Sequence, residues 1–243
     1  MIWPAIDLMN GQCVRLHKGD FSQTSLYDTD PVARALAFAK AGAKFLHVVD
    51  LDGAKAGASS QSKSIVQLAK LSGLVVQAGG GIRSAQQIEF LLQGGVARII
   101  LGSLAVSKPE QVKSWIKEFG ADKIVLALDV RIENELPVPA VRGWQDRSDT
   151  DLWQVLDGYA DCAAHLLVTD IDRDGVLAGA NTELYAQIKR RFAGFSLLAS
   201  GGIGGLDDVQ NVRASGADGV IIGKALYENK FTLKEALACW PDE

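Results

Sequence analysis

Gly80-Gly81-Ile82 returns 121 residues later as Gly201-Gly202-Ile203, and Gly102 returns at the same distance as Gly223. Asp7 has a counterpart 122 residues on in Asp129, and Val49-Asp50-Leu51-Asp52 has one 120 residues on in Thr169-Asp170-Ile171-Asp172. Between Gly80–Gly102 and Gly201–Gly223 only six of 23 positions are identical, four of them Gly. Identity alone is therefore modest, but four separate features recur in the same order and at the same spacing. Two similar halves suit a closed structure with approximate twofold symmetry. An open sheet gives no reason for such pairing.

The pattern between these landmarks agrees. Eight short apolar runs, Ile2–Ile6, Phe45–Val49, Leu74–Gln77, Arg98–Leu101, Lys123–Leu128, His165–Val168, Ser196–Ala199 and Gly219–Ile222, alternate with stretches of helical period. Most of the runs lack polar alternation, as strands buried on both faces do. Asp30-Pro31, Ser84 and Asn181 read as helix starts, and Ser107-Lys108-Pro109-Glu110 reads as a capping box. Gly42, Gly73, Gly120 and Gly216 stand where left-handed C-caps are wanted. Eight βα units in 243 residues predict a (β/α)8 TIM barrel, a fold of about 250 residues. The chain reads as one domain, 1–243, built of half-barrels at about 1–121 and 122–243.

Composition removes whole classes of function. A hydrophobic share of 48% with 22% charged residues excludes a disordered chain. The net charge of −4 argues against a duplex-binding protein, which carries a basic excess. No apolar run approaches the ~18 residues of a membrane span. MIWPAIDLMNG has no basic n-region, so no signal peptide is expected. Cys13, Cys162 and Cys239 are odd in number and far apart, and His17, His47 and His165 lack metal-ligand spacing. Both facts favour a reducing cytoplasm over a disulfide frame or a zinc site. With no apolar stripe or heptad in evidence, a monomer is expected.

In such barrels chemistry sits at the C-terminal ends of the strands. The first and fifth strands of eight are diametrically opposite, so Asp7 and Asp129 are expected to face each other across the mouth. Two carboxylates flanking one substrate act as general acid and general base. One Asp after a strand is as often a loop cap; a matched pair is less easily dismissed. Gly79-Gly80-Gly81-Ile82-Arg83 follows the third strand and Ser200-Gly201-Gly202-Ile203-Gly204-Gly205 the seventh, with Gly102-Ser103 and Gly223-Lys224 one strand later. Glycines there leave backbone N–H groups open to an anion. A single such turn is commonly only a tight turn. Two in register predict a ligand with a phosphate at each end and its reacting atoms in the middle.

The segments Leu8–Asp30 and Val130–Ser148 are too long for plain βα turns of about 2–6 residues. Asn10-Gly11 suggests a hairpin that brings Arg15, His17 or Lys18 over the mouth. In the second segment, which also holds Pro137 and Pro139, Arg142 and Trp144 suit a heterocyclic part of the ligand, although Trp144 is also a natural loop anchor. His47 and Asp50 flank the end of the second run, and His47 reads equally as a packed strand residue. Asp50, Asp52, Asp170, Asp172 and Asp174 raise the question of a divalent metal, but backbone-held phosphates need none. Thr169 is placed to hydrogen-bond Asp129 or the substrate.

These residues match a known pattern. Pro4-Ala5-Ile6-Asp7-Leu8, His47-Val48-Val49-Asp50-Leu51-Asp52-Gly53-Ala54, Gly79-Gly80-Gly81-Ile82-Arg83, Gly143-Trp144, Thr169-Asp170-Ile171 and Ser200-Gly201-Gly202-Ile203 span nearly the whole chain. The chain resembles the histidine-biosynthesis isomerases that act on phosphoribosylformimino-AICAR-phosphate (ProFAR). The sister cyclase subunit of imidazole-glycerol-phosphate synthase shares the repeat and both aspartates, but usually begins Cys-Leu-Asp where this chain has Ala5-Ile6-Asp7. Asp172 stands where many members carry Ser. The resemblance implies a cofactor-free Amadori rearrangement of an aminoaldose to an aminoketose. Asp129 would protonate the ribose ring oxygen, and Asp7 would take the C2′ proton. Thr169 would orient a carboxylate or intermediate, with Arg15, Arg83 and Trp144 at the carboxamide-imidazole end. Three other readings stay open: an isomerase that also accepts phosphoribosylanthranilate, the cyclase, and a non-catalytic phosphosugar-binding barrel.

Overall fold

A computed structural model describes residues 1–17, 20–57, 60–141, 143–144 and 146–241, with the backbone alone at 17 and 20–22. From the N-terminus come β1 (Ile2–Met9), β2 (Gln12–His17), β3 (Asp20–Asp28), α1 (Pro31–Lys40), β4 (Phe45–Asp50), α2 (Leu51–Ala56), α3 (Ser62–Ser72), β5 (Val75–Gly79), α4 (Ala85–Gln93) and β6 (Arg98–Leu101). Next are α5 (Ser103–Ser107), α6 (Pro109–Phe119), β7 (Ile124–Glu133), β8 (Leu136–Val141), β9 (Asp146–Arg147) and α7 (Leu152–Asp157). The last are β10 (His165–Asp170), α8 (Thr182–Arg191), β11 (Ser196–Ser200), α9 (Leu206–Ala214), β12 (Gly219–Ile222), α10 (Lys224–Tyr227) and α11 (Leu233–Cys239). β1, β4, β5, β6, β7, β10, β11 and β12 fall on the eight apolar runs, and the fold is a (β/α)8 barrel.

The chain divides into two compact units, Met1–Ile99 with Ile221–Glu243, and Ile100–Val220. Both cuts fall inside a strand, β6 and β12, 121 residues apart. In the first unit β1 pairs in parallel with β4 and β4 with β5, Ala5 opposite His47 and His47 opposite Gln77. In the second β10 pairs in parallel with β7 and β11, with Thr169 opposite Asp129 and Ser200. Ile6, Leu8, Leu46, Val48, Val76, Leu126, Leu166 and Leu197 are fully buried. Each such side chain contributes about 1.5–3 kcal/mol by leaving water.

Asp30 caps α1 by accepting from the Val32 and Ala33 N–H groups, with Pro31 in the first turn. Ser84 forms a capping box with Gln87, and Asn181 accepts from the Leu184 N–H. The box expected at Ser107–Glu110 is absent. Ser107 ends α5 and donates its hydroxyl to the Ser103 carbonyl, which leaves Lys108 before α6 without a side-chain cap. Gly73 closes α3 in the left-handed region, whereas Gly120 follows α6 at φ 103° and ψ 144°. Among the described residues no helix is long and apolar enough to cross a membrane.

The two long segments are largely strand. β1 runs on to Met9, turns at Asn10 (φ 51°) and Gly11 (φ 75°), and pairs with β2, which pairs with β3. β7 likewise runs on past Asp129, turns at Asn134 and Glu135 (φ 49° and 67°) and pairs with β8. Pro137 and Pro139 both lie within β8, opposite Ile132 and Val130. Residues two apart aim their N–H groups to the same side, so these prolines leave the donors of the other side for β7.

Candidate active site

In the first unit β1 and the hairpin strand β2 put Asp7 opposite Val14, one residue from Arg15. The Arg15 Nη1 donates to Asp7 Oδ2 at 2.7 Å and its Nη2 donates to the Ala5 carbonyl at 2.7 Å. Burial raises the Asp7 carboxyl above its ordinary range, and the Arg15 charge and hydrogen bond oppose that. The result is a carboxylate kept ionisable in a poorly hydrated place.

Beneath this pair lies a polar layer. His47 is buried inside β4, three residues before the strand ends, and its Nδ1 meets the Gln77 Nε2 at 2.9 Å. Burial and the nearby Arg15 charge hold His47 down to about 3, so the ring is neutral. With Nδ1 accepting from the Gln77 amide, Nε2 carries the proton. At the end of β4 the Asp50 carboxylate accepts from the N–H groups of Gly53 (2.6 Å), Ser60 (2.7 Å) and Gln61 (2.8 Å) and from the Ser60 hydroxyl (3.2 Å). Asp52 accepts from the Asn10 N–H and the Gln61 side chain. Asp50 thus ties down the chain between α2 and α3.

In the second unit Asp129 has different company. The Trp144 indole N–H donates to its Oδ2 at 2.9 Å, and the Thr169 hydroxyl hydrogen-bonds to it from the neighbouring strand. Trp144 itself stands at φ 70°, with its carbonyl 3.4 Å from both terminal nitrogens of Arg131. Burial raises the Asp129 carboxyl, and the two neutral donors oppose it less than a cation would. Because folding raises this pKa, Asp129 costs stability as pH rises above its unfolded value, and the cost is complete above the folded value. Asp129→Asn is therefore expected to melt higher than the parent at pH 7. The gain should shrink on acidification and vanish below about pH 4, near the unfolded value; equal melting at pH 7 would contradict the burial of a charge here. At the end of β10, Asp170 accepts from the Asp172 N–H and the Asn181 side chain and lies 3.5 Å from Arg173.

The glycine turns have a packing reason of their own. A Cβ on Gly80 would fall 2.1 Å from the Asp50 carbonyl, and one on Gly81 2.4 Å from the Gly53 carbonyl. Likewise a Cβ on Gly202 would fall 2.3 Å from the Gly179 carbonyl, and one on Gly201 3.0 Å from the Asp170 carbonyl. Both turns lie backbone to backbone on the loop before them. Gly102 has nothing nearer to its absent Cβ than the Ala127 carbonyl at 3.7 Å, and Ser103 opens α5. Gly223 is the seat of the Arg15 guanidinium, and Lys224 reaches Glu228 at 3.6 Å. The Arg83 guanidinium lies against Gly57.

Arg142 and Lys18 lie outside the described residues, as does the His17 side chain. Gln77 and Tyr227 were not singled out by sequence, although a Gln ending an apolar run was a visible signal for the first. Among the described residues no group of three or more His, Cys, Asp or Glu side chains is placed to hold a metal ion.

A family model described as "Histidine biosynthesis protein" matches residues 1–232. A protein of Elusimicrobium minutum is 49% identical over 238 residues, covering 98% of this chain and 99% of its own. Proteins of Francisella philomiragia and Proteus mirabilis are each 48% identical, over 239 and 242 residues, again covering 98–99% of both chains. All three are named 1-(5-phosphoribosyl)-5-((5-phosphoribosylamino)methylideneamino) imidazole-4-carboxamide isomerase.

Proposed function

Because this chain belongs to the histidine biosynthesis protein family, we propose that it isomerises ProFAR, converting the aminoaldose to the aminoketose. The names of its relatives describe a compound with a phosphoribosyl group on either side of an imidazole carboxamide. That is the doubly phosphorylated ligand for which the paired glycine turns ask. The backbone N–H groups of Gly80-Gly81, Gly102-Ser103, Gly201-Gly202 and Gly223-Lys224 are the donors that would hold its phosphates. Arg83, Arg142 and Trp144 attend the heterocycle.

One observation carries the division of labour. Two carboxylates at matching steps of the repeat have unlike partners, a guanidinium for Asp7 and neutral donors for Asp129. A carboxyl raised by burial without a cation keeps its proton more readily and suits the acid; one paired with a cation suits the base. Asp129 donates its proton to the ribose ring oxygen, the C1′–O bond breaks, and the nitrogen lone pair forms the Schiff base. Asp7 then removes the C2′ proton. The C–H electrons form the enolamine, which tautomerises to the ketose as C1′ takes a proton and the C2′ hydroxyl gives one up. Electrons move only within the substrate, so no external oxidant or reductant is consumed. Thr169 orients Asp129. The protein acts in the cytoplasm, as a monomer, on this small molecule and without a cofactor.

The test mixes purified protein with ProFAR and follows absorbance in EDTA with no added cofactor. Steady conversion to the ketose is the expected outcome. No conversion by a folded protein that still binds phosphosugars would return the reading to the cyclase or to a binding barrel.

A further inference from the structure

We propose that the turn Gly223–Tyr227 is the seat that holds Arg15 on Asp7, which makes Gly223 and Tyr227 positioning residues for that carboxylate. The inference rests on the reading of Asp7 as the base.

Arg15 reaches Asp7 from the β2 side of a hairpin, and a long side chain there needs more than its own hairpin to stay in one rotamer. Its guanidinium lies over Gly223. A Cβ on that residue would fall 2.5 Å from Cζ, 2.5 Å from Nη2 and 2.8 Å from Nη1. Near-equal distances to three atoms of one plane mean that the plane lies flat on the glycine, so any side chain there displaces the head group. Four residues on, the Tyr227 ring takes the same guanidinium at 5.3 Å from its centroid. The Tyr227 hydroxyl donates at 3.1 Å to the Ala5 carbonyl, the oxygen that also receives Arg15 Nη2. The ring is itself fixed by Tyr27 (centroids 4.9 Å apart) and by the Arg34 guanidinium at 5.1 Å.

The repeat supplies an internal control. Gly102 is the counterpart of Gly223, and its absent Cβ has no neighbour closer than 3.7 Å. Room for a phosphate accounts for both glycines, but only Gly223 must also make room for a guanidinium. A phosphate turn and the partner of Asp7 are thereby built on one residue.

Among the described residues Arg15 from β2 and Tyr227 from α10 act on or beside Asp7, with Cys13 and Arg34 next to Tyr227 and His47 from β4 next to Arg15. His47 is neutral, and burial pushes the Tyr227 hydroxyl up and the Cys13 thiol up to about 12. Arg15 is the charge that lowers Asp7.

The experiment is a double-mutant cycle of Gly223→Ala with Arg15→Lys, read by ProFAR kinetics and by a carbon-13 titration of the Asp7 carboxyl. Gly223→Ala is expected to lower kcat by about 10–100-fold, as for a misplacement of about 1 Å, beyond any rise in KM from the phosphate turn. It should also move the Asp7 titration to higher pH, whereas Gly102→Ala leaves that titration in place. In the Arg15→Lys background Gly223→Ala should add little, because both changes act on one contact. Effects that multiply, or a raised KM with kcat and the Asp7 titration unmoved, would overturn the proposal. Should Gly223→Ala fail to fold, Tyr227→Leu removes the ring without altering the turn and must show the same non-additivity. If the parent protein does not isomerise ProFAR, the reading of function fails, and the Asp7 titration in Gly223→Ala still decides the seat.

Discussion

Asp7→Asn is expected to lower kcat on ProFAR by about 10²–10⁴-fold, the range that general acid–base groups contribute. Asn has the same shape, and its carbonyl oxygen can still accept from Arg15 Nη1, so the contact at 2.7 Å survives. What is lost is the lone pair basic enough to take a carbon-bound proton. KM should change little, since Asp7 is not a phosphate handle. In the parent, kcat/KM should fall as pH drops through the Asp7 value, because only the ionised form is a base; burial moves that limb upward and Arg15 moves it back. The variant should lose this limb along with the rate. Steady-state kinetics across pH, with a melting curve to show that the protein is folded, check both. An Asn variant within tenfold of the parent would remove Asp7 as the base.

The second large effect is on stability. Asp50→Ala strips a fully buried carboxylate from three backbone N–H groups and a hydroxyl. Each buried donor left without a partner costs about 1–3 kcal/mol, and water can reach some of them, so a loss of about 3–5 kcal/mol is expected. For a chain of this length that lowers Tm by about 6–20 °C. Asp50→Asn should fall between, because one oxygen remains while an amide now faces donors. The folded Ala variant, assayed well below its Tm, should bind substrate nearly as the parent does. A raised KM with an unchanged Tm would instead return Asp50 to the substrate.

That contrast shows where sequence reading reached and where it stopped. Apolar runs bounded by turn residues fix strands such as Phe45–Asp50 closely, because burial on both faces leaves little freedom of composition. Hairpins are less visible. β7–β8 rests on an Asn134-Glu135 turn and on prolines whose missing N–H groups face away from the partner, none of it a local strand signal. Asp7 and Asp129 are legible by type and position, since they stand at corresponding steps of β1 and β7. Their partners were harder to see. Arg15 reads as a substrate contact and also lies on Asp7; Asp50 reads as a substrate contact and also accepts from Ser60 and Gln61. The glycine turns were assigned to phosphate, yet backbone packing alone already forbids side chains at Gly80, Gly81 and Gly202. A sequence records which residue stands at a strand end but not what has folded over it.

The unlike partners of Asp7 and Asp129 bear on a problem that any duplicated cradle faces. On the proposed reading, a ligand with a phosphate at either end offers two nearly equal handles, and binding it back to front would be almost as easy as binding it correctly. A fixed guanidinium beside one carboxylate and an uncharged indole beside the other make the halves electrically distinct at the very step where their sequences agree. On the proposed reading, direction comes from that difference.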